Sequence, residues 1–233
     1  MSDRSWLRFG AACGILFVVL EFVGFGMFAS NSPIGFAVFP PRDEIARAIA
    51  QPVNTGTWVG FYLEALASFL LFVFVARLWA RLRRAEGDPA WLAATALGAQ
   101  VAWLAVIAVS LACQAAIYAR AGRGADVTAA MALIDLQTTT YMLTWPLMAL
   151  FLGATAAVTL RTGALSRWLG WSAAGVATLM GVGLLAPTSL VSQLGEFLAT
   201  FWIVAASIVL LRQADEPRAA AGSMPVASSA SVR

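Results

Sequence analysis

Three glutamates stand where a chain solvated by lipid should carry no charge. Glu21, Glu64 and Glu196 each lie inside a run of about 20 mostly apolar residues. An ionised side chain at the centre of a bilayer costs about 3 kcal/mol on insertion scales, so each carboxyl must pair, take up a proton or face water. Other polar groups gather at the same level. Gln114 and Tyr118 end the third apolar run, Asp135 and Gln137 precede the fourth, and Tyr141 begins it. Tyr62 comes two residues before Glu64, and Gln193 three residues before Glu196. Such groups in an apolar bundle suit three chemistries. They can bind a small ligand or ion, hydrogen-bond across helices to fix register, or donate a proton as an intramembrane acid.

Composition removes other chemistries. The chain has no histidine, and all 15 of its basic residues are arginines. Imidazole bases, histidine-ligated metal or heme, lysine Schiff bases and a Walker A lysine are therefore absent. No cofactor and no metal site are expected. The two cysteines, Cys13 and Cys113, each sit in an apolar run near opposite ends of their spans and read as small buried hydrophobes. Net charge is +3, but no arginine-rich helix stands apart from the apolar runs, so lipid rather than nucleic acid is the expected partner.

The elements that must position these residues follow from the apolar runs. Of the 233 residues, 61% are hydrophobic and 12% charged, against about 45–50% and 25% in soluble domains. That composition predicts an all-α polytopic transmembrane bundle, because lipid offers the backbone no other hydrogen-bond partner. Six spans are read at about residues 7–29, 57–80, 91–118, 141–160, 168–186 and 190–211. The first reads as a retained anchor rather than a cleaved signal peptide, since it is too long for one and Glu21 interrupts it.

The arginines predict the orientation. With the N-terminus in the cytoplasm, eleven arginines flank the inner ends of the spans; only Arg42, Arg47, Arg120 and Arg123 flank the outer ends. Both termini are then cytoplasmic, in a multi-pass protein of the cell membrane. At about 1.5 Å per residue, Glu21 lies roughly 12 Å, Glu64 about 10 Å and Glu196 about 9 Å below the outer surface. The expectation is a polar pocket in the outer half of the bundle, open to the outside.

Two outer loops carry their own signals. Pro40-Pro41, Asp43-Glu44 and the apolar Ile45, Ala46, Ala48 and Ile49 predict a short interfacial helix closed by Pro52. Asp126 predicts an N-cap for a helix through Met131 and Leu136 that runs on into the fourth span. Pro146 should kink that span. Residues 213–233 are Ala/Ser/Pro-rich and read as a disordered cytoplasmic tail. A weak pattern recurs at the glutamates. Gly24, Ala67 and Ala199 each follow one at i+3, where a small residue lets a neighbouring helix approach.

Apart from its tail, the chain resembles the uncharacterised bacterial six-helix membrane proteins grouped as a domain of unknown function. The resemblance rests on four stretches: residues 43–50 leading into the second span, Met131-Ala-Leu-Ile-Asp-Leu136, Leu165-Ser-Arg-Trp-Leu-Gly170, and Gly195-Glu196 ahead of Trp202. Gln137 stands where relatives often carry histidine. The resemblance implies six spans and no particular activity.

Function is thus left among three readings. The first is a pocket for a small apolar or amphipathic ligand, with Glu21, Glu64, Glu196, Gln114, Tyr62, Tyr118, Asp135, Tyr141 and Gln193 as candidate contacts. The second is a structural or regulatory subunit, in which bonds such as Glu–Gln, Glu–Tyr or Glu–Arg120 only hold helices together. The third is an acid-using enzyme such as an isoprenoid cyclase, with Phe22, Phe25, Phe61, Phe69 and Trp202 lining its cavity. No catalytic motif accompanies these residues, so no catalytic residue is assigned.

Overall fold

The computed structural model describes residues 3–31, 39–185 and 190–215. Among these residues every regular element is helical. The order is α1 (Asp3–Asn31), α2 (Arg42–Ile49), α3 (Thr55–Glu86), α4 (Trp91–Arg120), α5 (Val127–Thr162), α6 (Arg167–Gly183) and α7 (Leu190–Asp215). Five of them, α1, α3, α4, α5 and α7, are long and apolar enough to cross a membrane. The predicted fifth span is shorter than expected. α6 ends at Gly183 after 17 residues, about 26 Å of helix, where the apolar run suggested residues 168–186. α7 continues to Asp215, so residues 213–215 are helical rather than tail. The remainder of the predicted tail lies outside the described residues.

Local signals set the helix ends. Asn54 Oδ1 accepts the N–H of Thr57 at 2.9 Å, and Asp126 Oδ1 accepts that of Thr128 at 2.7 Å, satisfying donors that have no partner within the first turn. Glu86, at the end of α3, reaches across the loop and takes the N–H groups of Leu92 and Ala93 at 3.0 and 2.8 Å. One carboxylate therefore closes the α3–α4 turn and complements the positive end of α4. Gly163 ends α5 in a left-handed conformation (φ 70°), as helix C-termini commonly do. As the sequence predicts, α5 runs unbroken from its Asp126 cap through Pro146. Its 36 residues extend about 54 Å, longer than the roughly 30 Å of hydrocarbon it would have to cross.

Packing arranges the long helices as a ring. α1 lies against α3 and α7, α3 against α4, α4 against α5, α5 against α6, and α6 against α7. Hydrogen bonds fix which ends meet. Arg4 Nε donates to the Ala214 carbonyl at 2.9 Å, and Arg81 Nε to that of Ala164 at 3.0 Å. These bonds join the start of α1 to the end of α7, and the end of α3 to the α5–α6 turn. At the opposite end, Thr57 Oγ1 donates to the Asn31 carbonyl and the Gly122 N–H to that of Ile49. The bundle therefore has an arginine end and an α2 end. Trp6, Trp91, Trp168 and Trp171 remain exposed at the arginine end, and Arg83 lies 5.4 Å from the Trp79 ring centre. Aromatic rings beside cations are the pattern of a membrane–water interface.

The interfacial helix forms where the sequence places it, as α2. Its apolar face turns into the protein rather than out to lipid: Ile45 and Ile49 pack on Ile117, Tyr118, Ala130 and Ile134. This small cluster is separate from the main core, which fills the ring between α1, α3 and α4–α7. Cys13 and Cys113 are buried thiols with no disulfide, in keeping with the sequence.

A close backbone approach joins α1 to α3. A Cβ on Gly60 would come within 2.9 Å of the Gly24 carbonyl, and one on Gly24 within 3.1 Å of the Gly60 carbonyl. Gly60→Ala should therefore destabilise the protein by roughly 1–3 kcal/mol through overpacking. Gly98→Ala, where nothing lies within 4 Å, should be neutral or slightly stabilising. Thermal unfolding of the two variants in one detergent checks the contrast.

Candidate functional site

The three glutamates come from three different helices and line one cavity. Glu21 is supplied by α1, Glu64 by α3 and Glu196 by α7, around a space of about 330 Å³. Gln114 of α4 and Tyr141 of α5 line it as well, and Met180 of α6 completes the ring. The cavity lies toward the α2 end, between the two apolar clusters. Phe17, Met148 and Ile203 of its wall belong to the main core, whereas Phe28 packs on the smaller one. Its volume is at the lower end of the range for small-molecule sites, about 300–1,000 Å³.

The glycine contact positions Glu64. The atoms nearest a Cβ on Gly24 include Glu64 Cγ at 3.1 Å and Glu64 N at 3.3 Å. The α1 backbone thus passes directly over the glutamate of α3. This is the role the i+3 pattern suggested for Gly24. Ala67 and Ala199, the other two members, are buried at 0% and 4% exposure.

Glu196 has a partner. The Tyr141 hydroxyl donates to Glu196 Oε1, a short bond between α5 and α7. Gln114 Nε2 donates to the Tyr118 hydroxyl at 2.9 Å, so Tyr118 supports the wall from behind while remaining buried in the smaller cluster. Ser110 Oγ donates to the Gln137 carbonyl at 3.3 Å and ties α4 to α5 at the same level.

Four of the candidate contacts do not line the cavity: Tyr118 stands behind its wall, and Tyr62, Asp135 and Gln193 lie elsewhere. Tyr62 is 63% exposed. It precedes Glu64 by two residues, which turns it about 200° around the helix from the glutamate. Asp135 and Gln193 are also exposed and do not line the cavity. Asp135 is off the face that carries Tyr141 and Trp145, and Gln193 sits one turn nearer the end of α7 than Glu196. Arg120, considered as a partner for a glutamate, is exposed and lines a different cavity with Asp126 between α4 and α5. Of the five aromatics proposed for a cyclase-like wall, only Phe25 is in place. Phe22 and Phe69 are exposed at 43% and 63%, Phe61 packs on the smaller cluster, and Trp202 donates its indole N–H to the Leu169 carbonyl at 3.0 Å.

The structure adds residues that the sequence reading passed over. Ser68, Trp103, Ser110, Thr144 and Trp145 all line the cavity. Their spacing was available as a signal. Trp103, Ile107, Ser110 and Gln114 recur at i+3 or i+4 on one face of α4, as do Tyr141, Thr144, Trp145 and Met148 on α5. Pro146 falls within the second set. Having no N–H, it leaves the Met142 carbonyl without its usual helical donor, so the hydrogen-bond ladder of α5 is interrupted at the cavity wall.

No protein-family model, curated protein or solved structure matches the chain. The chemistry of the cavity is therefore the basis for its function.

Tyr141→Phe removes the only donor shown for Glu196 while leaving the aromatic ring in place. It should destabilise the protein by about 1 kcal/mol, the scale of an interhelical bond in a membrane protein. Glu196→Gln retains an acceptor for Tyr141 and should cost less. Denaturant titration of both variants in mixed micelles measures the difference.

Proposed function

We propose that this chain is a multi-pass protein of the cell membrane, with six spans and both termini in the cytoplasm, and that its cavity binds a small amphipathic ligand from the outer side. One observation carries the functional half of this reading. Carboxyls from three helices face a single cavity whose remaining wall is largely apolar. In a bundle, polar groups that only join helices meet each other directly. Here Tyr141 and Glu196 do so, but the carboxyls of Glu21 and Glu64 have no hydrogen-bond or ion-pair partner among the described residues, the Ser68 hydroxyl bonding only the Glu64 main-chain carbonyl. A site of this form, apolar with a few convergent polar groups, suits a ligand with an apolar body and a polar head.

The segregation of arginines supports the topology. Those at the starts of α1 and α6 and at the ends of α3, α5 and α7 share one end of the ring, opposite Arg42, Arg47, Arg120 and Arg123. The positive-inside rule puts the richer end in the cytoplasm. α6 supplies the sixth span, its roughly 26 Å accommodated by modest local thinning of the bilayer. Six spans are also what the resemblance to the six-helix family implies.

The Tyr141–Glu196 bond favours a second reading, in which the carboxyls serve only to hold helices together. Binding of an environment-sensitive amphipathic dye to the purified protein separates the two. If the cavity is a site, Ile107→Trp, at a half-buried position of its wall, should weaken dye binding by roughly tenfold, about 1.4 kcal/mol, with little change in unfolding temperature. Glu64→Gln should do likewise. If both Glu64→Gln and Glu196→Gln instead fail to insert, and the wild type binds no dye, the carboxyls are structural. Topology has its own check in a variant lacking Cys13 and Cys113. A membrane-impermeant maleimide should label Arg123→Cys in intact cells, and Arg84→Cys only after permeabilisation.

A further inference from the structure

We infer that the head group of the cavity's ligand is an organic cation. The inference rests on the cavity being a binding site and adds the ligand's charge and class. Three carboxyls, those of Glu21, Glu64 and Glu196, line the space, and none of its described lining residues is an arginine. The chain has no lysine or histidine to bring to it. Any positive charge that pairs with the ionised carboxyls therefore comes from whatever occupies the cavity.

The geometry favours an extended cation over a metal ion. Among the described residues, no three acidic or thiol side chains are grouped closely enough to hold a metal. The carboxyls stand around the cavity instead of converging on a point. Between them are aromatic faces, from Phe17, Phe25, Phe28, Trp103, Tyr141 and Trp145. Aromatic walls attract ammonium groups through the ring quadrupole, most strongly where water is excluded. A weakly hydrated substituted ammonium uses both parts of this wall, its charge against the carboxyls and its carbon substituents against the rings.

Three small probes of nearly one shape test the assignment. They are 2-phenoxyethyltrimethylammonium, its neutral carbon isostere 3,3-dimethylbutyl phenyl ether, and the anionic 3-phenoxypropanesulfonate. Each is equilibrated by dialysis against full-length protein in nanodiscs, with empty nanodiscs subtracted to remove partition into lipid. The ammonium probe should bind saturably, about tenfold or more tighter than the neutral isostere, with the sulfonate weakest. Glu64→Gln and Glu21→Gln should each lower the ammonium affinity and leave that of the neutral ether unchanged. If the ether or the sulfonate binds the wild type as tightly as the ammonium does, the cationic assignment is overturned and the cavity remains a binding site. If none of the three binds and the amphipathic dye does not bind either, both readings fail. The comparison among probes is made on the wild type, so it does not depend on either variant folding.

Discussion

The arrangement of the cavity depends on how closely α1 and α3 can approach. At Gly24 and Gly60 the two backbones meet with no side chain between them. That contact allows Glu21 and Glu64, on different helices, to look into the same space. It also covers the Glu64 stem with the backbone of α1. In lipid, where apolar side chains gain little by leaving the solvent, small residues that permit close packing are a main source of helix association. The contact that holds the pair together is thus also the one that aligns its carboxyls.

The cavity persists because two apolar clusters meet around it without merging. The main core closes the arginine end of the ring, with Phe74, Phe151 and Leu169 fully buried. The smaller cluster, under α2, closes the other end. Between them the ring is lined by polar groups that neither cluster can absorb. Some are satisfied: Tyr141 on Glu196 and Ser110 on the Gln137 carbonyl across helices, and Gln114 on Tyr118 within α4. These bonds stiffen the wall. Glu21 and Glu64 are left lining space that a ligand would fill. The covering α2 helix explains why an interfacial segment has an inward apolar face: Ile45 and Ile49 roof the bundle instead of floating in the lipid headgroups.

Much of this was legible in the residues. The apolar runs gave the helices, since runs of about 20 residues in lipid leave the backbone no alternative. Asp126 announced the start of α5, and Pro41 with Asp43 and Glu44 the short α2 helix. The common depth of Glu21, Glu64 and Glu196 came from counting residues along helices, and all three do share one cavity. Counting also overreached. Tyr62, Asp135 and Gln193 have the right depth but the wrong direction, and the fifth helix stops at Gly183, before its apolar run ends. Depth is a one-dimensional property that residue number sets almost directly. Direction around a helix axis is not.

The sequence by itself therefore determined an all-helical chain with several apolar helices long enough to cross a membrane, their order, and the position along each helix of its few buried carboxyls. Hydrophobicity and the 1.5 Å helical rise are local, and they act the same in any packing arrangement. Only the tertiary structure decided which face of each helix turns inward. That rotation depends on contacts between residues distant in the chain, such as Gly24 with Gly60 and Tyr141 with Glu196, and no single helix records it. Packing placed the Glu21 and Glu64 side chains in a cavity lined by aromatic residues, with no arginine among its described lining, which gives the cavity its chemical character.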